Sequence, residues 1–231
     1  SLAVNAGASS VGANAQALQT DDIAIGRYSV ASGGVSIAIG SSSNPLNAAT
    51  ATGNTAIAIG FGSDALQFGS LAIGTNSQSA QLVATALGSN ARALAQSSGA
   101  IHDFTLATGV FSTAVGVDAD ALALGAVAVG VNALASGEQA IVTGSNSVAT
   151  GVFSTASGYI SQASDRGSSA FGANAVAKGD QASAFGNGAQ ATAPGSVAIG
   201  RAALATGEGS IATGDAALAS GAQAIAFVKA H

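Results

Sequence analysis

The sequence predicts an all-β chain wound as a parallel solenoid of about sixteen short turns, and three observations point there. A five-residue phrase recurs: Ser196-Val197-Ala198-Ile199-Gly200 has close copies at Asp22–Gly26, Ser36–Gly40, Ala56–Gly60, Ser70–Gly74, Ala126–Gly130 and Ser210–Gly214. The closing glycines fall at 12, 26, 40, 60, 74, 88, 116, 130, 144, 158, 172, 186, 200 and 214, a step of 14 broken only by 20 after Gly40 and 28 after Gly88. His102 occupies the skipped register and Val228 the next one after Gly214, so the frame holds sixteen copies. A fixed period of this kind outranks every other structural signal. Finally, within each copy small and larger residues alternate, which is the period of a strand and not of a helix.

Each period yields its elements in order. The residue two before the glycine is Ala in all copies but two (Ser10, Val142), and the residue four before is Ala or Ser in all but one (Asp22). The positions three before and one before carry Ile, Val, Leu, Thr, Phe or Ser in every copy except at Gly99, so a short strand with one small face and one larger face ends at the glycine. Asn then often follows two residues after it (Asn14, Asn76, Asn90, Asn132, Asn146, Asn174), a residue that tolerates the left-handed backbone of a tight turn. A second strand follows three to seven residues after the glycine, as in Ala203-Leu204-Ala205-Thr206-Gly207. Its alternate positions are nearly always Ala or Ser, while the residue between them varies (Gln16, Asp64, Arg92, Asp120, Leu134, Gln190) and is expected to face solvent. Glycines at this density disfavour helix.

The step of 20 after Gly40 marks an insertion at 41–52, containing Ser43, Asn44, Pro45, Leu46 and Asn47. Six extra residues must leave the solenoid as a loop, and loops on rigid scaffolds often carry binding. These five residues are therefore a candidate binding loop. The unbroken repeat otherwise argues that 1–231 is a single domain.

Composition closes off several classes. Charged residues are 7% and the net charge is −5, which opposes the phosphate backbone of a nucleic acid. The 48% hydrophobic content argues against disorder, yet Gly, Ser, Thr and Asn interrupt every apolar run well short of a spanning helix. Aromatics at 4% are too few for the girdles of a membrane barrel, and the absence of Cys removes disulfides and thiolate metal sites. The repeat already runs through Ser1–Ala15, so no signal peptide is expected there, and the chain reads as a piece of something longer.

A turn of fourteen residues encloses a thin core, so one chain alone does not finish the structure. We place Ile37, Ile39, Ile57, Ile59, Val197 and Ile199 inside it, which leaves a ladder of small residues on the other face. That stripe (Ala24, Ala38, Ala58, Ala72, Ala128, Ala198) suits close approach of another backbone and is the candidate contact of an oligomer. The opposite arrangement, alanine inside and isoleucine at the contact, demands a partner as well. Rotational symmetry about the solenoid axis is the natural form of such an assembly.

The recurring Ser-Val-Ala-Ile-Gly with Ala-x-Ala-x-Gly behind it resembles the YadA-like head repeat of trimeric autotransporter adhesins, over essentially the whole chain. The resemblance implies a left-handed parallel β-roll assembled as a homotrimer and displayed on the surface of a Gram-negative bacterium. A stalk and a C-terminal membrane anchor outside this chain would hold it there. It further implies binding to host extracellular matrix such as collagen, or to host cells. Gln223–Val228 begins another turn, but the basic neck expected before a stalk does not follow.

Chemistry-bearing residues are sparse. His102 and His231 are the only histidines. His102 beside Asp103 would have to serve any hydrolytic triad, and adjacent strand residues point to opposite faces. His102 reads instead as a degenerate turn, and no catalytic residue, cofactor or metal is expected. The carboxylates Asp21, Asp22, Asp118, Asp120, Glu138, Asp165, Asp180, Glu208 and Asp215 sit at turns and variable positions and are expected to be solvated. Gly-Gly-x-Gly-x-Asp, the calcium-binding solenoid signature, does not occur. An adhesin head and a passive spacer or self-association (autoagglutination) module are the two function classes left open. An ice-binding array would need regular threonines, and Thr85, Thr113, Thr143, Thr155 and Thr213 are irregular.

Overall fold

The computed structural model describes residues 1–228, and the chain divides into two compact units between Asp118 and Ala119. Each unit contains eight turns, sixteen in all, and every turn supplies one two-residue strand and one three-residue strand. His231 lies outside the described residues.

Pairing follows the fourteen-residue frame. In the first unit Leu71–Ile73 lies parallel between Ile57–Ile59 and Thr85–Leu87, with Ala72 opposite Ala58 and Ala86. In the second, Val197–Ile199 lies between Ser183–Phe185 and Ile211–Thr213. The two-residue strands stack likewise, Gln78–Ser79 between Asp64–Ala65 and Arg92–Ala93. Backbone groups are satisfied from turn to turn: the Leu71 N–H donates to the Ala84 carbonyl at 2.9 Å and the Gly74 N–H to the Ile59 carbonyl at 2.8 Å. The insertion leaves this register intact, since Thr50–Ala51 pairs with both Val30–Ala31 and Asp64–Ala65. The extruded loop therefore spans 41–47, shorter than the 41–52 read from the sequence, because Ala48 and Ala49 are buried again and Thr50 and Ala51 are back in strand.

The interior of each unit is built almost wholly of alanine and serine. Apart from the two end turns and the insertion after Gly40, the residues two and four before each closing position, together with those three and five after it, are buried. The largest fully buried side chains are Val142, Thr105 and Asp22. An interior that admits nothing larger than valine cannot house isoleucine, and the faces of the three-residue strand are accordingly opposite to the arrangement favoured from sequence. Ala24, Ala38, Ala58, Ala72, Ala128 and Ala198 are all 0% exposed inside the roll, with no surface left to meet another chain. Ile37, Ile39, Ile57, Ile59 and Val197 are half-buried and Ile199 is exposed, all on the outer face. The second strand follows expectation, with Ala15, Ala17, Ser63 and Ala65 inward and Asp64, Gln78, Arg92, Asp120, Gln162 and Gln190 half-buried or exposed.

Serine and alanine interchange at the buried positions because most of the serine hydroxyls find a turn carbonyl, while Ser112 and Ser210 are buried without a hydrogen-bond partner among the described residues. Four before the glycine, Ser70, Ser98, Ser154 and Ser168 donate 2.7 Å bonds to the carbonyl three residues back. Three after the glycine, Ser29, Ser63 and Ser77 donate to the glycine carbonyl itself at 2.8 to 3.0 Å. A buried hydroxyl is tolerated where such an acceptor is in reach. Asp22 takes this further: it is fully buried, contrary to the solvated reading. Its Oδ2 accepts from the Gln19 N–H at 2.7 Å, and its Oδ1 accepts from Gly34 N, Ser36 N and Ser36 Oγ at 3.0, 2.9 and 2.7 Å.

The closing glycine answers to both space and backbone. At Gly60, φ is +134° and an added Cβ would lie 2.5 Å from the Gly74 carbonyl oxygen of the next turn. His102 takes the corresponding place with φ at +97°. Each turn also carries two left-handed residues, two and nine after the glycine. The asparagines mark the first, but the second falls on Val35, Val83, Phe111 and Phe153 as readily as on glycine. Two turns per period follow from the repeat, but the left-handed residue of the second is not marked in the sequence except by the scattered Gly69, Gly125, Gly167, Gly195 and Gly209.

Two expectations test this account. Ala128→Glu should cost about 4 kcal/mol or more, by forcing a charge into an interior of methyl groups. Thermal melting followed by circular dichroism measures it, and a near-native melting temperature would mean that alanine does not face inward. Conversely, Val83→Asn and His102→Gly each relieve a left-handed strain and should stabilise by about 1 kcal/mol. A loss of stability in urea titration at both sites would contradict the backbone assignment.

Candidate functional site

Three surfaces could do something. The first is the outer face of the three-residue strands. In the first unit the residue before each closing position is Val11, Ile25, Ile39, Ile59, Ile73, Leu87, Ile101 and Val115, an uninterrupted aliphatic column. In the second unit the column is Val129, Thr143, Ser157, Phe171, Phe185, Ile199, Thr213 and Phe227. Val129 and Ile199 are 39% and 42% exposed. No charged residue stands at either outer position of any three-residue strand. This is the face to which the sequence reading gave the core residues, and it takes over from the buried alanines as the candidate contact.

The second is the inserted loop, which is ordered by its own polar groups. Pro45–Asn47 forms one 3₁₀ turn capped by Asn44, whose Oδ1 accepts from the Leu46 N–H at 3.0 Å. Ser42 Oγ accepts from the Asn44 N–H at 3.0 Å, and the Gly62 N–H ties the loop to the roll through the Asn47 carbonyl at 2.8 Å. Ser43, Asn44, Pro45, Leu46 and Asn47 are all exposed, and Leu46 stands at the tip with 88% of its surface free. The five candidate residues are thus brought together as one rigid protrusion with an apolar point.

The third is a shallow concavity of about 420 Å³ in the second unit, lined by Asp180, Gln181, Pro194, Gly195, Glu208, Gly209, Ala222 and Gln223. It exists because Gly195 and Gly209 leave two successive turns without side chains between Gln181 and Gln223.

The remaining candidates separate. His102 is exposed at its degenerate turn, and the Asp103 carboxylate accepts from the Ser89 N–H at 2.9 Å, anchoring the turn before it. Asp64 is half-buried on the outer face of a two-residue strand. Burial raises its pKa above the ordinary carboxylate value, partly opposed by a hydrogen bond from Thr50. Asp21, Asp118, Glu138, Asp165, Asp180, Glu208 and Asp215 are exposed and Asp120 is half-buried, and Arg201 pairs with Asp215 at the surface. Among the described residues no group of three or more His, Cys, Asp or Glu could hold a metal ion, and no helix is long and apolar enough to cross a membrane.

A solved structure described as the collagen-binding domain of the Yersinia adhesin YadA is similar at 23% identity, covering 84% of this chain and 81% of that one, with a TM-score of 0.32. No curated protein matches the chain. The family model of the YadA head domain repeat (2 copies) matches residues 3–29, 20–43, 65–91, 107–133, 121–147, 128–154, 149–175, 177–203 and 205–227. Those matches share the fourteen-residue frame of glycines and strands described above and cover well over half of the sequence: the chain belongs to the YadA head repeat family.

Proposed function

We propose that the chain is the head of a surface adhesin that works as a homotrimer of left-handed β-rolls. Such heads are carried on the outside of a Gram-negative cell by a stalk and a membrane anchor beyond this sequence. The observation that carries the proposal is the uncharged outer face of the three-residue strands. An acidic chain meets a copy of itself most readily through a face that bears no charge, and exposed apolar columns of this length are otherwise an aggregation hazard. Three copies closed around an axis would cover that face completely. The free surfaces would then be the variable positions of the two-residue strands, the turns and the loop at Leu46.

Such a surface binds by repetition. The same short pattern recurs turn after turn on three chains, so weak single contacts with a fibrous partner add up. Collagen is the matrix ligand that family membership puts first. The exposed side chains are mostly uncharged, leaving little scope for electrostatic steering.

Val129→Glu and Ile199→Glu should leave each chain folded, because both positions face outward, yet break the assembly at a cost of about 3–5 kcal/mol. Light scattering reads the mass and circular dichroism the fold. A parent chain that is monomeric at micromolar concentration would sink the trimer. Surface plasmon resonance on immobilised collagen, fibronectin and laminin tests adhesion. Binding should depend weakly on salt and strongly on ligand density, and deletion of residues 41–46 should lower it only in part. Complete loss on deletion would move the site into the loop. Absence of binding to every matrix protein would leave a spacer or self-association module.

A further inference from the structure

The repeat that builds the roll creates a difficulty for three copies meeting side by side. Where the outer column is uniform, sliding one copy by one turn, about 4.8 Å, puts isoleucine where isoleucine was and costs little. Residues 11–115 are of this kind. In the second unit the same column changes abruptly in size, from Ser157 to Phe171 and Phe185. The two phenylalanines stand on successive paired strands, with ring centroids 5.2 Å apart and planes 4° from parallel, and are 38% and 40% exposed. Their ring faces are spent on each other, so what they offer outward is edges, which suits an edge-on aromatic neighbour better than a planar ligand laid flat. On the same face Ser169 and Ser183 sit beside them and leave room. Directly before them the column narrows to hydroxyls, with Thr143 Oγ1 donating to Ser157 Oγ at 2.8 Å.

Resting on the trimer reading above, we infer that the Phe171–Phe185 pair and the narrow Ser157 turn are the register key of self-association. In register, three copies bring phenylalanines together at two successive levels and serines together at the level before. Slipped by one turn, a phenylalanine pair meets serine at one level, leaving a void, and meets Ile199 at another. Cavities and mismatched volumes of this size are penalised in any dry contact. The occupant the key selects is a second copy of this chain, because no charge on the face could favour a different partner.

The test moves the key by one turn. The double variant Ser157→Phe/Phe185→Ile places the aromatic pair one turn earlier in the same column. Parent chain labelled with nitrogen-15 is refolded together with unlabelled parent, or with unlabelled variant, and the trimers are weighed by native mass spectrometry. Labelled and unlabelled parent should mix statistically. The variant should assemble with itself, and in mixed trimers its aromatic pair should align with that of the parent one turn out of register, an offset read by carboxylate cross-linking and mass spectrometry. Mixed trimers in which parent and variant lie in register, or a variant that is folded by circular dichroism but cannot assemble with itself, would overturn the register key while leaving the trimer standing. A monomeric parent would overturn the trimer reading first and the key with it.

Discussion

The width of the interior is the constraint on which the rest of this structure depends. Fourteen residues per turn, shared between two short strands and two tight turns, leave room for methyls and hydroxyls and for little else. The largest fully buried side chains being Val142, Thr105 and Asp22 is the direct expression of that limit. Alanine at the inner positions is therefore a steric requirement. Serine is its polar equivalent wherever a turn carbonyl lies three residues back to receive the hydroxyl. Asp22 is admitted because four donors surround it.

What the interior cannot hold, the outer face must carry. Isoleucine, valine, leucine and phenylalanine stand outward from the three-residue strands, and charge is missing from the same face. A monomer presenting such columns to water would be a poor solution, whereas the closed assembly proposed above would turn them into a second, larger core. The same logic explains why adhesion would fall to many weak contacts, because the surface left over is mostly uncharged and repeats from turn to turn.

Strain in the molecule is distributed along the turns. Each turn is held by hydrogen bonds to the one before and the one after, as repeat architectures generally are. A local misfit such as Val83 at φ +54° or His102 at φ +97° is thus held in place from both sides. This accounts for a loose consensus at the second turn, where glycine, glutamine, valine and phenylalanine all serve. The closing glycine is stricter, because the neighbouring carbonyl lies within 2.5 Å of where its Cβ would be at Gly60.

The period, the strand pair within it, the insertion after Gly40 and the family were all legible in the sequence, because each is a property of spacing along one chain. Alternation likewise showed that small residues occupy one face and larger residues the other. It could not show which face turns inward. That depends on the distance between two sheets, which no local pattern encodes, and the hydrophobicity of isoleucine argued for the wrong side. Burial of Asp22 escaped for a related reason, since its donors come from Gln19 on one side and from Gly34 and Ser36 a full turn later. The sequence by itself determined the turn and its repetition; the tertiary structure decided inside from outside, because only the closed roll sets how wide the inside is.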